Sequence, residues 1–342
     1  MPYLRVVVGG SFSIFFLLQL TSMQRALGSA KTPVALLVAG NVLNVALAIV
    51  LMFGDGPAPA MFAWGPPIAH AIGVPPMGLM GAAWATIIAR SVVLVPNIAV
   101  MIRRFAIVRP PPGRAAPDTR TLRTILDLAW PSSTQFVLRI AAMLLVNSLV
   151  ARAYTTATDQ TATTAIGLVF RLDTMALFVA MGWGSAAQTF VGQNIGAGHE
   201  ERATNSGWVT AAYDVVTNVG LAAIFLLAGE TILHVFDEDP APVGIALDYL
   251  RNVAPSYVGL GIGVVLGNAM TGAGATRTTL WVDVAVIVGF QFPVCIVAVA
   301  VLHAGHLALF RCVAATNVVS AIAYAAVYAR GNWRSACRAS RP

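Results

Sequence analysis

The chain contains nine apolar stretches, and each is long enough to cross a membrane as a helix. A bilayer has about 30 Å of hydrocarbon, which takes roughly 20 helical residues to span. Open strands cannot span lipid because their backbone groups would lack hydrogen-bond partners, so all nine stretches are predicted to be helices. We name these predicted helices A to I, and they cover residues 4–27, 33–54, 79–102, 127–151, 163–194, 204–229, 246–271, 279–302 and 306–329.

The composition supports the same fold class. Apolar residues make up 58% of the 342 residues and charged residues 10%, against roughly 45–50% and 25% in soluble proteins. The sequence therefore predicts an all-α polytopic membrane protein. The three cysteines are an odd number in or beside apolar runs, so no disulfide framework is expected.

Lys and Arg residues predict the orientation, because they accumulate at the cytoplasmic ends of membrane helices. If helix A begins outside the cell, Arg5, Arg152 and Arg251 fall outside. The basic residues that fall on the cytoplasmic side are Arg25, Lys31, Arg103, Arg104, Arg109, Arg114, Arg120, Arg123, Arg202, Arg277, Arg330, Arg334, Arg338 and Arg341. The net charge of +7 is thus explained by topology, and nucleic acid is not an expected partner.

One stretch of sequence occurs twice. Residues 3–32 begin with Tyr-Leu-Arg and align with residues 249–278, at an offset of 246 residues that places Gly28 on Gly274. Internal repeats of spanning segments are common in secondary transporters. The second copy lies in helix G, the fourth of the six helices D–I, so helix A is expected to be the fourth helix of another set of six.

This alignment predicts how the chain is divided. Residues 1–104 form a partial N-lobe of three helices, 105–126 a cytoplasmic basic linker, and 127–342 a C-lobe of six helices with a cytoplasmic tail. The expected parent is a twelve-helix, two-lobe transporter from which the first three helices are missing. An N-terminus outside the cell without a visible signal peptide fits the same expectation.

Four motifs carry a resemblance to a known family: RALGSAKTP at 25–33, NVLNVAL at 41–47, GLMGAAWAT at 78–86 and FVGQNIGAGHEERA at 190–203. With them the chain resembles the multidrug and toxic compound extrusion (MATE) family. The resemblance implies twelve helices in two lobes around a central cavity, and export of cationic, amphipathic compounds in exchange for Na⁺ or H⁺. The last motif resembles the family signature at the end of a lobe's second helix. Its residues are Gly192, Gln193, Asn194, Gly196 and Gly198.

The chain also departs from the family pattern. In one branch the cation-coupling aspartate lies on the first helix, which is absent here, and helix D lacks the glutamate that another branch keeps there. The coupling ion, Na⁺ or H⁺, therefore stays open, and no other cofactor is expected. The resemblance implies a multi-pass protein of the cytoplasmic (inner) membrane that acts as a monomer on a small, cationic organic substrate.

Charged residues inside the predicted helices are the candidates for function, because each costs several kcal/mol unless it is paired or wetted. Asp173 and Arg171 on helix E, Arg139 on helix D and Asp214 on helix F lie deep in their helices, whereas Asp283 lies nearer an interface. Arg171 and Asp173 are two residues apart and point about 200° away from each other. We predict that Asp173 faces the cavity, with Arg139 or an adjacent polar group as its partner.

Two interpretations of these charges remain open. They could be structural ion pairs within the six-helix lobe, or Asp173 or Asp214 could bind the exported cation or the coupling ion. Uncharged residues that could line the same cavity are Gln135, Asn147 and Asn268, although each is also an ordinary interhelical hydrogen-bond donor.

Backbone-directing residues predict the helix shapes. Pro131 falls in the first turn of helix D, where proline is tolerated, whereas Pro255 and Pro293 should kink helices G and H. Gly9 stands where helix G has Pro255, so helices A and G need not bend alike. The glycines within helix G should let neighbouring helices approach closely, and Gly192, Gly196 and Gly198 should end helix E in a tight turn. A hinge is the alternative for that turn.

Enzymatic and metal functions find little support. His303 and His306 have metal-ligand spacing but lie in a short outer loop without a third ligand, so no metal site is predicted. The chain has no Gly-Lys-Ser/Thr motif for ATP and no catalytic constellation. The prediction is a secondary exporter of drugs or metabolites. The alternatives are a lipid-linked oligosaccharide flippase of the same superfamily and a non-transporting truncated remnant.

The topology can be tested by labelling introduced cysteines in a cysteine-free background. Arg114→Cys is expected to react with an impermeant maleimide only after the membrane is permeabilised, because residues 103–126 are predicted to be cytoplasmic. Asp237→Cys, in a predicted outer loop, is the matched control and should react in intact cells. Labelling at position 114 from outside would contradict the assignment.

Overall fold

A computed structural model describes residues 2–105, 118–156 and 158–334 of the chain. It divides into two compact units, Met1–Ala116 and Pro117–Pro342. Residues 106–117 of the predicted basic linker and the tail after Arg334 lie outside the described residues. Within the described part, nine helical spans are long and apolar enough to cross a membrane, which confirms the all-α polytopic fold class.

The first unit contains helices A to C. Helix A consists of α1 (Pro2–Gly9) and α2 (Ser11–Ala26), and helix B is α3 (Lys31–Phe53). A 3₁₀ turn (Ala60–Phe62) and the short α4 (Gly65–Ile72) lie in the connection to α5 (Leu79–Phe105), which is helix C. Both α2 and α3 pack against α5.

The second unit contains helices D to I. Helices D, E and F are single long elements. Helices G and H are each interrupted. The elements are α6 (Thr119–Ala153), α7 (Thr161–Gly196), α8 (Glu200–His234), α9 (Pro240–Val253), α10 (Tyr257–Gly272), α11 (Thr276–Asp283), α12 (Phe292–Ile296) and α13 (His306–Arg330).

The start of α6 corrects two sequence predictions. The Asp118 side chain caps the helix, accepting hydrogen bonds from the Arg120 N–H at 3.0 Å and the Thr121 hydroxyl at 2.8 Å. The bonds from Thr121 and Arg120 hold the pKa of the Asp118 carboxyl below its ordinary value. Residues 119–126, predicted as linker, are therefore helical, and Pro131 lies inside α6 rather than in its first turn.

Helix G is broken at Pro255, as predicted. α9 ends at Val253, a 3₁₀ turn covers Ala254–Ser256, and α10 begins at Tyr257. Helix A is interrupted at the matching place, because α1 ends at Gly9 and α2 begins at Ser11. The two copies of the repeat are thus broken at equivalent positions, although one has glycine where the other has proline.

The exits of the two copies also match in backbone detail. Gly28 has φ of 81° and Gly274 has φ of 82°, in the left-handed region that glycine adopts readily. The Ser29 N–H donates to the Gln24 carbonyl at 2.9 Å, and the Ala275 N–H donates to the Met270 carbonyl at 3.0 Å. Each bond closes the last helical turn as glycine-ended helices commonly do.

Helix H departs from regular α-helix on both sides of Pro293. π-helical segments cover Val284–Gln291 and Val297–Val301, with the short α12 between them. Proline has no N–H to donate, so it removes a helical hydrogen bond. The kink predicted at Pro293 is therefore observed as two π-helical segments, in which the helix is wider than an α-helix.

The glycine-lined α10 lies at the centre of the second unit and packs against α7, α8 and α13. A Cβ added at Gly272 would lie 2.2 Å from the Gln188 carbonyl oxygen of α7. One added at Gly259 would lie 2.7 Å from the Asn317 carbonyl oxygen of α13. The predicted close approach of helices to helix G is confirmed, and it depends on positions where no side chain fits.

The importance of this spacing can be measured by adding one methyl group. Gly272→Ala should lower the free energy of unfolding by about 1–3 kcal/mol, because the new Cβ overlaps the backbone of α7. The matched control is Gly220→Ala in α8, where a Cβ meets nothing within 4 Å. This change should be neutral or stabilise by up to about 1 kcal/mol. Equal thermal unfolding midpoints for the two variants in detergent would contradict the packing argument.

Candidate functional site

Arg139 and Asp283 form the ion pair that joins α6 to α11. The Arg139 Nε donates to Asp283 Oδ2 at 3.1 Å, and its Nη2 donates to Oδ1 at 3.3 Å. The Tyr324 hydroxyl of α13 donates to the same Oδ1 at 2.7 Å. Asp283 is buried, so its charge is compensated by one guanidinium and one hydroxyl. Arg139 was one of the two predicted partners of Asp173, and the structure pairs it with Asp283 instead.

Gln135 extends the same contact by one helical turn. Its Nε2 donates to the Thr279 hydroxyl at 2.6 Å and to the Thr276 carbonyl at 3.1 Å. Both acceptors belong to α11. Gln135 was predicted as a cavity residue, but its amide hydrogens are used in holding α6 against α11.

Asp173 of α7 is held by two tyrosine hydroxyls. The Tyr249 hydroxyl donates to Oδ2 at 2.5 Å, and the Tyr257 hydroxyl donates to Oδ1 at 2.5 Å. Tyr249 lies on α9 and Tyr257 on α10, on either side of the break at Pro255. Asp173 is partly buried, and none of the salt bridges among the described residues includes it.

Arg171 has a different neighbour, as its angular separation from Asp173 predicts. Its guanidinium lies over the ring of Phe236, 5.0 Å from the ring centroid. Phe236 belongs to the connection between α8 and α9. The exposed Arg171 side chain therefore extends toward the helix ends instead of remaining at the depth of Asp173.

Asp214 is completely buried, with 0% of its surface exposed. Its Oδ1 accepts a hydrogen bond from the Asn218 Nδ2 one turn later on α8, at 2.8 Å. Its Oδ2 lies against α10, only 1.8 Å from the position that a Cβ on Gly261 would take. Asp214 was a candidate for the cavity, but the structure places it in the contact between α8 and α10.

The two remaining asparagine candidates are partly buried. The Asn268 Nδ2 donates to the Val264 carbonyl of its own helix at 2.9 Å. That nitrogen also lies 2.7 Å from the position of a Cβ on Gly184 of α7. Asn147 lies on α6, three turns after Gln135.

Sequence reasoning did not select Tyr249, Tyr257 or Tyr324 as site residues. The first two hold Asp173, and the third holds Asp283. One signal was present in the sequence, because Tyr249 opens the repeated Tyr-Leu-Arg segment. A tyrosine eight residues from another across a predicted proline kink can meet the same side chain of a neighbouring helix.

Comparison with known proteins shows which transporters this chain resembles. The MatE family model, which describes the MATE transporters, matches residues 131–297. These residues lie within the second unit and include Arg139, Asp173, Asp214 and Asp283. By this match the second unit is similar to the MATE transporters.

Curated relatives extend the similarity to the first unit. The probable multidrug resistance protein NorM of Thermotoga maritima is 26% identical over 314 residues, which are 89% of this chain and 61% of the relative. The probable multidrug resistance protein YpnP of Bacillus subtilis is 25% identical over 282 residues, 81% of this chain and 56% of the relative. The chain thus spans about 56–61% of the length of these MATE relatives.

A solved structure shows the same fold. A MOP superfamily transporter from Pyrococcus furiosus superposes with a TM-score of 0.83 at 18% identity, covering 97% of this chain and 70% of that chain. At this identity the match concerns the helical architecture alone.

The MATE signature residues form the turn between α7 and α8. Gly198 has φ of 84°, and the His199 N–H that follows donates to the Asn194 carbonyl at 2.8 Å. Gly196 is the last residue of α7, whereas Gly192 lies within the helix, with its Cβ position 2.9 Å from the Gly272 carbonyl oxygen. All three glycines were predicted to end the helix. Gly196 and Gly198 do so, whereas Gly192 permits close packing of α7 on α10.

The Asn194 side chain and the Gln193 backbone stabilise this turn. The Asn194 Nδ2 donates to the Phe190 carbonyl at 2.8 Å and to the Ser206 hydroxyl of α8 at 3.3 Å. The Gln193 carbonyl accepts from the Ala197 N–H at 3.0 Å. These bonds fix a tight turn, which was the simpler of the two predictions for this motif.

The Arg139–Asp283 pair can be tested with a double-mutant cycle. Arg139→Met alone should destabilise the protein by about 1–3 kcal/mol, because it leaves a buried carboxylate without its cation. Asp283→Asn combined with it should recover part of that loss. The unfolding free energies of the wild type, both single variants and the double variant give the coupling energy. A value within about 0.3 kcal/mol of zero would contradict a partly buried pair.

Proposed function

We propose that this chain is the transporting part of a secondary exporter of drugs or metabolites in the cytoplasmic membrane, coupled to Na⁺ or H⁺ antiport. Its substrate would be a small organic cation, and the monomer would be the working unit. The proposal concerns transport rather than catalysis. The match of residues 131–297 to the MatE family model and the naming of two relatives as probable multidrug resistance proteins support it.

The observation that carries the proposal is the environment of Asp173. Both carboxylate oxygens accept hydrogen bonds from tyrosine hydroxyls, and hydrogen bonds to the charged form of an acid favour that form. The described salt bridges leave Asp173 without a cationic partner. A carboxyl group in a membrane helix whose negative charge, when it is ionised, is not matched by the protein is suited to binding a cation.

The positions of the tyrosines suggest how binding would be coupled to movement. Tyr249 and Tyr257 lie on the two segments of helix G, which are separated by the 3₁₀ turn at Pro255. Any change of angle at that turn alters the distance between the two hydroxyls. Asp173 would then lose one donor and gain affinity for a cation or proton. This gives an exchange step of the kind that alternating access requires.

The flippase alternative depends on unpaired basic residues that could bind a lipid-linked, anionic sugar. Arg139 is matched by Asp283, and Arg171 lies over Phe236 near the helix ends. Both arginines therefore have partners within the protein. This observation favours the exporter of cations.

The central test is transport of a fluorescent cationic dye in everted membrane vesicles that contain the full chain. Asp173→Asn should reduce dye binding by tenfold or more, because a charge about 4 Å from a cation contributes up to about 4 kcal/mol at an effective dielectric of 20. Gradient-driven uptake should fall with it. Separate Na⁺ and proton gradients identify the coupling ion.

The charge-matched control is Asp127→Asn, which removes an exposed acid paired with Arg277 at the surface. It should bind and transport dye like the unaltered chain. If Asp173→Asn also behaves like the unaltered chain, Asp173 is a structural group and the proposed mechanism is wrong. Absence of transport by the unaltered chain would favour the non-transporting remnant.

A further inference from the structure

Asp214 and Asn218 form a polar pair that the proposed export mechanism does not use. Both residues are 0% exposed, and one hydrogen bond joins Asn218 Nδ2 to Asp214 Oδ1 at 2.8 Å. The other two oxygens, Asp214 Oδ2 and Asn218 Oδ1, are buried without a hydrogen-bond partner among the described residues. Two adjacent acceptors without donors are an unusual arrangement, because buried polar groups are nearly always satisfied.

The packing of α10 leaves no space for a metal ion at this pair. A Cβ on Gly261 would lie 1.8 Å from Asp214 Oδ2 and 2.7 Å from Asn218 Nδ2. The backbone of α10 therefore lies directly against the carboxylate. A hard cation needs a shell of several oxygen ligands, six or more for Ca²⁺, and this contact supplies two.

Nor does a cationic side chain compensate the carboxylate. α8 packs against α7, α9, α10 and the 3₁₀ turn before α10, and that turn carries no titratable residue. α13 reaches α8 through Tyr328, whose hydroxyl donates to the Ala203 carbonyl three turns before Asp214. The titratable residues of α7, α9 and α10 are Arg171, Asp173, Asp248, Tyr249, Arg251 and Tyr257.

Each of these residues has another partner. Arg171 lies over Phe236, Asp173 accepts from the two tyrosines, and Arg251 lies 3.9 Å from Asp248. An ionised Asp214 would thus be a buried charge with one amide donor and no counter-ion. Such a charge is strongly unfavourable.

We propose that Asp214 binds a proton and is a neutral carboxylic acid while α8 and α10 are in contact. Its hydroxyl would donate to the unpartnered Asn218 Oδ1, and the Asn218 Nδ2 already donates to the other carboxyl oxygen. One proton then removes both unsatisfied acceptors. A proton fits between these two side chains without additional space, whereas a metal ion would not fit.

The proposal assigns a proton site that is separate from Asp173. The bound proton is retained by the close approach of α10 at Gly261. Separation of α8 from α10 would admit water, which favours the ionised form. Protonation of Asp214 and contact between the two helices therefore stabilise each other. The inference goes beyond the proposed export function and does not depend on the Asp173 mechanism.

Infrared spectroscopy of the purified full chain tests the proposal without any transport assay. Protein containing aspartate labelled with ¹³C in its side-chain carboxyl should show, at neutral pH, a protonated-carboxyl band that shifts relative to unlabelled protein. This measurement uses the unaltered sequence, so it does not depend on the folding of a variant. Absence of a protonated aspartate band would overturn the proposal.

Variants then assign the band. Asp214→Asn, which keeps the shape of the side chain, should abolish it. Asp283→Asn should leave it unchanged, because Asp283 is paired with the Arg139 guanidinium. A band that survives Asp214→Asn would belong to another aspartate and would overturn the assignment. Failure of the Asp173 transport test would leave this result unaffected, and the reverse also holds.

Discussion

The contact between the glycine-lined α10 and its three neighbours is the interaction on which the second unit depends. Apolar side chains gain little from burial against each other in lipid, so membrane helices associate through close packing and hydrogen bonds. At Gly259, Gly261 and Gly272 a Cβ would overlap atoms of α13, α8 and α7 respectively. This close packing brings Asp214 against α10 and brings Tyr257 within hydrogen-bond distance of Asp173.

The three acids of this unit differ in which donors the packing supplies to them. Asp283 receives a guanidinium and a tyrosine hydroxyl, Asp173 receives two tyrosine hydroxyls, and Asp214 receives one amide. Hydrogen-bond donors and cations stabilise the ionised form of an acid, and burial without them stabilises the neutral form. The three acids thus have identical chemistry and different surroundings, which is the basis for proposing three tasks: joining helices, binding a cation and retaining a proton.

The sequence predicted the helices better than it predicted their partners. Apolar length alone locates all nine spans, because the hydrocarbon thickness fixes how long a spanning helix must be. The pairing of Arg139 with Asp283 joins residues 144 positions apart, and depth along a helix does not determine which neighbour lies opposite. The start of α6 was also predicted eight residues too late. The first turns after Asp118 are helical but polar, so a search for apolar stretches does not include them.

The two copies of the repeat show whether the break in helices A and G depends on the residue type at the break or on its position in the helix. Helix G is interrupted at Pro255, where the missing N–H accounts for the break. Helix A is interrupted at Gly9 and Gly10, where no proline is present. Gly10 lies against α5, with its Cβ position 2.3 Å from the Ile87 side chain. In helix A the break therefore lies where the helix packs closely against α5. In helix G it lies at a proline. The equivalent break in two different sequences indicates that the interruption belongs to the architecture of the repeat. Of the tyrosine pair across Pro255, Tyr249 has its counterpart in Tyr3, whereas Tyr257 corresponds to Ser11, so only the second tyrosine is specific to helix G.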